Sequence, residues 1–231
     1  MRALLLSAGL GTRLRPLTKE IPKCLVPIND KPLMGYWLDM FCKEEIIPVM
    51  VNLHYLSKKV DAYIAASPYK KCVTTVYEDN LLGTGGTLLK NRHFFNKGPV
   101  LMAHGDNLSL FDIKDFIRAH SLRPEHCEMT MMTFETDTPQ SCGIVELDQD
   151  NIVCAFHEKI DNPPGNLANG AVYILEPSIF DFLESLGKEV IDFSTEVLPH
   201  YIGRINTFHN GRYHRDIGTM ESYQEAQKDF I

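Results

Sequence analysis

The chain has 231 residues, 44% of them hydrophobic, and a formal net charge of −7 at pH 7. The length allows one sizeable core, whereas the acidic balance argues against a general nucleic-acid binder, which needs a basic face for the phosphate backbone. No apolar stretch approaches the roughly 20 residues that span a bilayer, and the six cysteines are widely spaced without a CxxC pair or zinc-site spacing, so we expect a cytoplasmic protein with reduced thiols.

The first half of the chain alternates short apolar runs with amphipathic segments. The predicted strands are 3–7, 47–52, 73–77 and 100–104. The predicted helices are 31–44, 57–66, 86–95 and 112–121, the last with Phe111 or Asp112 near its start. Alternating strands and helices predict a Rossmann-like, doubly wound α/β fold with a mostly parallel sheet.

The second half of the chain is richer in strand patterns. The segments 143–147 and 152–159, joined by a polar turn, predict a hairpin, and 168–175 predicts another strand. Helical patterns follow at 177–186, 192–202 and 222–231. Neither a repeat nor a long linker marks a boundary, so we expect one domain over the whole chain, with no further domain beyond its last residue.

A glycine-rich segment, LLLSAGLGTRLRPLTKEIPKCLVPI at 4–28, carries the strongest functional signal. A strand runs directly into a loop with Gly9 and Gly11, where glycine lets backbone N–H groups approach phosphate oxygens. An ordinary strand-to-helix turn could contain the same glycines, but Arg13 and Lys23 beside an amide-rich loop suit a triphosphate. The dinucleotide fingerprint fails because Leu14 replaces its third glycine, and no Walker lysine motif is present.

A second glycine cluster lies in VYEDNLLGTGGTLLKN at 76–91, where a strand ends and a helix begins. Gly83, Gly85 and Gly86 would let the backbone lie flat against a planar base, and Glu78 could accept hydrogen bonds from ring N–H groups. Because guanine, uracil and thymine all carry such groups, Glu78 does not choose among them. The alternative is a plain helix start with a solvated Glu78.

Two aspartates offer oxygen ligands for a metal ion. Asp106 follows the predicted strand at 100–104, at the carboxyl edge of the sheet, where open α/β folds bind ligands. Asp216 precedes a Gly-Thr turn near the last helix. Either one alone is commonly a turn or N-cap residue. Together they suit Mg²⁺, which takes one or two carboxylates with phosphate oxygens and water.

Several of these segments together resemble one protein family. SAGLGTRLRPLT followed by PKCLVPI is similar to the signature of the sugar-1-phosphate nucleotidylyltransferases, with Leu10 where many members have glycine. The segments CGIVELDQDNIVCAFHEK and ANGAVYILEP also resemble family motifs, although Cys142 replaces a frequent tyrosine and no proline directly follows Lys159. The form LGTGG looks most like guanylyltransferases that act on mannose or heptose 1-phosphates.

The resemblance implies a set of site residues in distinct groups. It assigns catalysis to Arg13, Lys23 and Asp106, and metal binding to Asp106 and Asp216. The nucleotide-binding residues that it implies are Leu6, Ala8, Gly9, Gly11, Thr12, Arg13, Glu78, Gly83 and Thr84. The sugar-phosphate-binding residues that it implies are Asn107, Gly143, Glu158, Lys159 and Asn169, with Gly170 and Tyr173 as further pocket candidates. Arg215 is either a phosphate contact or the ion-pair partner of Asp216.

The implied activity is a Mg²⁺-dependent transfer of a nucleoside monophosphate from a triphosphate, with GTP favoured, to a sugar 1-phosphate. The products would be pyrophosphate and an NDP-sugar for polysaccharide or glycan synthesis. Residues of about 1–125 would bind the nucleotide and about 126–231 the sugar phosphate. The sugar phosphate is itself the nucleophile, so the protein supplies positioning and charge neutralisation.

Two alternatives to this activity stay open at the level of sequence. One is a uridylyl-, thymidylyl- or cytidylyltransferase, including a cytidylyltransferase that acts on a phosphocholine-like acceptor. The other is a noncatalytic regulatory subunit that binds an NDP-sugar. The expected partners are a nucleoside triphosphate and a sugar 1-phosphate, with neither nucleic acid nor membrane, and a homo-oligomer stays open.

Overall fold

The structure is a computed structural model, and it describes residues 1–95 and 98–229. Within these residues the strands are β1 (Arg2–Leu6), β2 (Pro27–Ile28), β3 (Lys31–Pro32), β4 (Val49–Leu53), β5 (Val73–Tyr77), β6 (Val100–His104), β7 (Asn107–Leu110), β8 (Met129–Glu135), β9 (Gly143–Leu147), β10 (Val153–Glu158), β11 (Leu167–Leu175), β12 (Ile205–His209) and β13 (Tyr213–Asp216). The α-helices are α1 (Leu33–Lys43), α2 (Ser57–Ala66), α3 (Gly83–Lys90), α4 (Ile113–Ser121), α5 (Ile179–Ser185) and α6 (Met220–Asp229).

The described chain divides into two compact units. Unit 1 consists of Met1–Leu81, Ala103–Leu110 and 213–229. Unit 2 consists of 82–95, 98–102 and Phe111–Arg212. Unit 1 therefore combines the first 81 residues with two later segments of the described chain. The fold is of the predicted α/β class, with a central, mainly parallel sheet.

Unit 1 is built on three adjacent parallel strands. β4 pairs with β1 on one side and with β5 on the other, in registers that place Asn52 beside Leu6 and Val76. All five residues of β4 are buried, which explains its nearly continuous apolar sequence. Parallel strands end at the same edge of a sheet, so the segments that follow β1, β4 and β5 begin on one side of unit 1.

A short antiparallel sheet in unit 1 pairs β7 with β13. It places Asp216 opposite Asn107, and the N–H of Ile217 donates to the carbonyl of Asp106 at 3.3 Å. A core cluster collects buried side chains from the glycine-rich segment, α1, β7, the segment after β13 and α6: Leu14, Val26, Ile28, Leu33, Leu108, Ile217 and Ala226. Burial of one such large side chain contributes roughly 1.5–3 kcal/mol, so the cluster fixes three sequence-distant segments together.

Unit 2 contains four strands in the antiparallel order β10, β9, β11, β8, and β12 runs parallel to β8. The predicted hairpin is confirmed as β9 and β10, which pair from Gly143 and Glu158 at the open end. Its turn is closed by Asp148, whose carboxylate accepts the N–H groups of Asp150 and Ile152. Local side-chain hydrogen bonds of this kind are the reason that aspartate favours turns.

The helical segments of unit 2 match their predicted bounds only in part. α4 begins as predicted, because the Asp112 carboxylate accepts N–H groups of the first turn. α3 begins at Gly83 instead of residue 86 and ends at Lys90, before a separate 3₁₀ turn at Arg92–Phe95. The pattern predicted as helical at 192–202 forms a π-helical turn followed by a 3₁₀ turn.

The predicted bounds of the other helices and strands agree with the structure to different degrees. The predicted bounds of α2, β5 and β6 are confirmed, whereas the helix predicted at 31–44 begins at Leu33 because Lys31–Pro32 forms β3. The short strands β7, β12 and β13 were not predicted. The last two residues of the helix predicted at 222–231 lie outside the described residues.

The chain's thiols and helices show two further features. All six cysteines are free thiols. None of the helices in the part of the chain that the structure describes has both the length and the apolar character needed to cross a bilayer.

Candidate active site

The glycine-rich loop leaves β1 at the carboxyl edge of unit 1. Gly11 has a φ of +62°, in the left-handed region, and its carbonyl accepts the Thr18 hydroxyl at 2.6 Å. A Cβ at Gly11 would lie 3.0 Å from the Thr18 methyl carbon, so both the backbone conformation and the packing require glycine. At Gly9 a Cβ would have no neighbour within 4 Å, so packing leaves the backbone there accessible.

A buried lysine joins the two predicted metal ligands. Lys23 Nζ lies 2.7 Å from Asp106 Oδ2 and 3.1 Å from Asp216 Oδ1, and the Lys23 side chain is only 9% exposed. Arg13 approaches the other oxygen of Asp216 at 3.8 Å, and its own side chain is 70% exposed. The structure therefore brings four charged residues from three distant segments to one place within unit 1.

The surroundings of Lys23 and Asp106 shift the pKa of each of these two groups. Burial works to lower the pKa of Lys23, but Asp106 and Asp216 outweigh burial and raise it. Burial works to raise the pKa of Asp106, but Lys23 and His104 outweigh burial and lower it. Lys23 is thus a cation and Asp106 an anion at neutral pH, which gives the cluster charges of both signs for an anionic ligand and a metal ion.

Two short strands explain how the aspartates meet. Asp106 lies in the turn between β6 and β7, and Asp216 is the last residue of β13. The β7–β13 pairing places them on neighbouring segments. Gly105 makes this turn possible, because its N–H donates to the Leu6 carbonyl at 2.8 Å and a Cβ there would lie 2.6 Å from Ser7 Oγ.

Glu78 follows β5 at the same edge and is buried, with 1% of its surface exposed. Its carboxylate accepts the Asn52 side-chain amide at 3.3 Å, and its backbone N–H donates to the Leu53 carbonyl at 2.9 Å. His54 Nδ1 lies 2.8 Å from the Glu78 carbonyl oxygen. The sequence alternative of a solvated Glu78 at a helix start is therefore wrong.

The second glycine cluster packs closely inside unit 2. A Cβ at Gly83 would lie 2.5 Å from the Ile191 carbonyl oxygen, and a Cβ at Gly86 would lie 2.1 Å from the Glu189 carbonyl oxygen. The N–H of Gly85 donates to the Ile191 carbonyl at 3.0 Å. These glycines are required by the packing of α3 against the chain at 189–191, whatever ligand their backbone meets.

The open end of the β9–β10 hairpin gathers three predicted sugar-phosphate residues within unit 2. A Cβ at Gly143 would lie 2.8 Å from Glu158 Oε2 and 2.7 Å from the Phe156 ring, so glycine makes room for both side chains. Lys159 Nζ pairs with Glu158 Oε1 at 2.9 Å, and the lysine side chain is 64% exposed. Lys159 has a φ of +50°, a conformation that costs a non-glycine residue about 1–3 kcal/mol.

Asn169 lies at an irregularity in β11, also within unit 2. Its side-chain oxygen accepts the Ala171 N–H at 2.9 Å, and its side-chain nitrogen donates to the Tyr173 hydroxyl at 2.6 Å. Tyr173 is buried and its ring lies 5.0 Å from that of Phe193. Core packing therefore accounts for the position of the Tyr173 ring.

Similarity to known proteins agrees with this arrangement. The sequence profile described as "Nucleotidyl transferase" matches residues 2–231. The chain belongs to the nucleotidyl transferase family. The resemblance to sugar-1-phosphate nucleotidyltransferases that the motifs carry is thereby confirmed.

Relatives of this nucleotidyl transferase include two named guanylyltransferases. A D-glycero-alpha-D-manno-heptose 1-phosphate guanylyltransferase of Aneurinibacillus thermoaerophilus is 30% identical over 232 residues, 99% of this chain and 98% of the relative. A mannose-1-phosphate guanylyltransferase of Mycobacterium tuberculosis is 28% identical over 99% of this chain, which spans 64% of that relative's length. The crystal structure of HddC from Yersinia pseudotuberculosis complexed with GMP-PN has a TM-score of 0.82 and 26% identity, covering 100% of this chain and 99% of that one.

The structure corrects one of the two roles that the sequence allowed for Arg215 in this nucleotidyl transferase. Arg215 pairs with Glu225 and Asp229 on α6 instead of Asp216, because alternate residues of β13 point to opposite faces. Trp37 is buried, and its indole N–H donates to the Asn107 carbonyl at 2.8 Å. The Trp37 ring is thus used in packing within unit 1.

The sequence analysis missed Asn52, which lies in the middle of this edge of the nucleotidyl transferase. Its side chain is buried and contacts both the Ser7 N–H and the Glu78 carboxylate. One signal was available, because a polar residue within the apolar run VMVNL needs hydrogen-bond partners when the strand is buried.

Proposed function

We propose that this chain transfers a guanosine monophosphate unit from GTP to a mannose-like or heptose-like sugar 1-phosphate and releases pyrophosphate. The observation that carries the proposal is the cluster of Lys23, Asp106 and Asp216, because a triphosphate site needs cations and hard oxygen ligands together. The activities after which the relatives are named support the choice of GTP and of the sugar class. The reaction would take place in the cytoplasm, where nucleoside triphosphates are available.

The cluster fits a divalent ion of the size of Mg²⁺. The oxygens Asp106 Oδ2 and Asp216 Oδ1 lie within 3.1 Å of one nitrogen atom, so small side-chain movements would bring both to one ion. No group of three or more His, Cys, Asp or Glu side chains suited to a metal occurs among residues 1–95 and 98–229. Two carboxylates are what Mg²⁺ uses when phosphate oxygens and water complete its shell. When bound, the ion would neutralise charge on the reacting phosphates.

The roles of the protein's own groups follow from their positions. Lys23 would turn its ammonium group from the carboxylates to the phosphates once an ion joins the two acids. The exposed Arg13 guanidinium would bind the outer phosphates, where charge develops on the leaving pyrophosphate. The backbone at Gly9, which packing leaves open, would let N–H groups meet phosphate oxygens.

A single ring N–H does not let Glu78 choose among guanine, uracil and thymine, but the groups beside that N–H favour guanine. An ionised carboxylate only accepts hydrogen bonds, and among the common bases guanine presents two adjacent donors, N1–H and the 2-amino group, on its pairing edge. Uracil and thymine present one N–H between two carbonyl oxygens, which a carboxylate would repel. A buried Glu78 that already accepts from Asn52 therefore favours GTP over UTP and dTTP.

Pyrophosphate release by the purified protein tests the proposal. The assay would combine Mg²⁺, one of GTP, UTP, dTTP, CTP and ATP, and one of a panel of sugar 1-phosphates that includes mannose and heptose 1-phosphates. We expect the highest rate with GTP, loss of activity in EDTA and its return with added Mg²⁺. Release from no pair, or release that EDTA leaves unchanged, would contradict the proposal.

A further inference from the structure

Asn52 occupies the central position at the carboxyl edge of unit 1. It lies in β4, the middle strand of the parallel set, and its register places it beside Leu6 of β1 and Val76 of β5. The glycine-rich loop begins directly after β1, and Glu78 directly follows β5. A side chain at position 52 can therefore reach the start of the phosphate loop and the candidate base-binding carboxylate at once.

The two ends of the Asn52 side chain make different hydrogen bonds. Its oxygen accepts the backbone N–H of Ser7 at 2.7 Å, and its nitrogen donates to Glu78 Oε1 at 3.3 Å. A backbone N–H can only donate and an ionised carboxylate can only accept. Among short side chains, only the primary amide of asparagine supplies a carbonyl oxygen and an N–H group together. The residue type thus matches both partners, and 3% exposure shields both bonds from water.

The backbone on either side of Glu78 is held by the neighbouring strand. The N–H of Glu78 donates to the Leu53 carbonyl at 2.9 Å, and His54 Nδ1 lies 2.8 Å from the carbonyl oxygen of Glu78. These contacts fix the main chain but leave the direction of the carboxylate to side-chain partners. The Asn52 amide is a partner that also touches the phosphate loop.

We propose that Asn52 is a positioning residue. It orients the Glu78 carboxylate toward the base, and it holds the start of the phosphate loop at a fixed distance from that carboxylate. The inference rests on the proposed function, in which Glu78 contacts guanine. Asn52 itself would touch neither base nor phosphate. Its effect would appear as nucleotide affinity and base preference, with a smaller effect on the rate of transfer.

A four-member cycle of near-isosteric variants tests the inference: the unchanged protein, Asn52→Asp, Glu78→Gln and the double variant. Asn52→Asp keeps the acceptor for Ser7 but places a second carboxylate beside Glu78, so we expect the KM for GTP to rise about tenfold or more. In the Glu78→Gln background, Asn52→Asp should have the opposite effect on the KM for GTP. The new carboxylate at position 52 would accept from the new amide nitrogen at position 78 and turn the amide oxygen there toward guanine. This should lower the KM for GTP several-fold relative to Glu78→Gln alone.

The measurements separate this inference from the proposed function. Dissociation constants for a nonhydrolysable GTP analogue with Mg²⁺ would be measured by calorimetry beside the steady-state kinetics, with thermal melting of every variant and the exposed Asn29→Asp as a control. If the unchanged protein binds the analogue but releases no pyrophosphate, the proposed function fails and the dissociation constants still decide the role of Asn52. If Asn52→Asp alone does not fold, the comparison of Glu78→Gln with the double variant decides it.

The sign reversal is the outcome that a merely structural asparagine would not produce. A loss of affinity of similar size in both backgrounds would overturn the inference, and so would unchanged affinity in both. Absence of nucleotide binding to the unchanged protein would overturn the inference together with the proposed function. An increase in KM when Glu78 is kept and a decrease in the Glu78→Gln background would establish it.

Discussion

Two clusters of polar and charged side chains in this chain differ in how completely their groups are paired. The first, in unit 1, consists of Arg13, Lys23, Asp106 and Asp216. One buried ammonium is shared between two carboxylates, and the Asp216 side chain is 52% exposed. The Arg13 guanidinium lies 3.8 Å from the other carboxylate oxygen of Asp216. The carboxylates thus retain oxygens that a metal ion and its water could use.

The second cluster, in unit 2, consists of His120, Arg123, Thr130 and Glu176. His120 donates from Nε2 to Glu176 at 3.1 Å and contacts the Thr130 hydroxyl from Nδ1 at 2.9 Å. Arg123 donates to the His120 carbonyl at 2.7 Å and to the Cys127 carbonyl at 2.8 Å, and it pairs with Glu176. Each of these contacts joins α4 or the following turn to its neighbours.

The degree of pairing within a cluster distinguishes a ligand site from a structural network. The second cluster satisfies its donors within the protein, and a satisfied network of this kind rigidifies a fold. The first cluster concentrates charge at an accessible edge beside an open glycine backbone. We therefore expect changes in the first to remove activity and changes in the second to remove stability.

The largest expected effect is on turnover in the first cluster. Asp106→Asn and Asp216→Asn should each lower kcat by about a thousandfold, because each would replace a charged carboxylate ligand of the proposed metal ion with a neutral amide. The free energy of unfolding should change by less than about 2 kcal/mol, since Lys23 keeps one carboxylate in either variant. Steady-state kinetics and urea unfolding would measure both quantities.

The exposed Asp61 provides a matched control for these variants, because it is in unit 1 on α2. Asp61→Asn should keep kcat within about twofold of the unchanged protein. Near-normal turnover in either cluster variant would remove the metal assignment, and unfolding of both would make the cluster a structural network like the second.

A smaller effect is expected at Lys159, which lies at the end of the hairpin in unit 2. Lys159→Ala should raise the KM for the sugar 1-phosphate by about tenfold or more and leave the KM for GTP within about twofold, because the proposed charge-assisted bond to the sugar phosphate would be lost. The exposed Lys114→Ala serves as control. Equal increases in both KM values would contradict a role on the sugar-phosphate side.

The second cluster should respond in stability and not in turnover. His120→Gln should lower the free energy of unfolding by about 1–3 kcal/mol at pH 7 and leave kcat within about twofold. The exposed His126→Gln should change neither quantity. A loss of kcat in His120→Gln without a loss of stability would reverse the distinction between the two clusters.

The same histidine gives the second cluster a pH dependence. Burial lowers the pKa of His120 to about 4, with Arg123 adding to the shift, against roughly 6.5 in an unfolded chain. As pH falls below about 6.5 the unfolded chain takes up this proton first, so stability should decline by up to about 3 kcal/mol before pH 4. His120→Gln should remove this part of the decline in urea unfolding measured at several pH values.

The smallest effect is expected at Arg215. Its guanidinium pairs with Glu225 and Asp229 near the surface of α6, and such pairs contribute roughly 0–1 kcal/mol. Arg215→Ala should leave the KM for GTP and for the sugar phosphate unchanged. A tenfold increase in either KM would instead support the alternative in which Arg215 contacts a phosphate.

The sequence predicted those parts of the fold that form short apolar runs or carry a clear turn signal. The bounds of β5 and β6 follow from their position between turn residues, and the hairpin of β9 and β10 follows from its polar turn. The strands β7 and β13 could not be predicted, because each is four residues long and carries polar side chains. Their pairing depends on apolar neighbours such as Leu108 and Ile217, which a local pattern does not reveal.

The candidate site could be predicted as a list of residues but not as a network. Family motifs indicated Lys23, Asp106 and Asp216, while only the structure shows that one ammonium group joins the two acids. Asn52 and its two hydrogen bonds were missed, because no motif contains them. The side-chain directions that decide such contacts arise from strand register, which is a tertiary property.

The most direct test of the central claim is the binding of Mn²⁺, as a substitute for Mg²⁺, in the presence of a nonhydrolysable GTP analogue. Calorimetry or electron paramagnetic resonance would compare the unchanged protein, Asp106→Asn, Asp216→Asn and the double variant. We expect each single change to lower the affinity for Mn²⁺ by about tenfold or more. The double change should lower that affinity by less than the product of the two single effects. Full affinity in either single variant, or effects that simply multiply, would contradict a single ion held by both aspartates.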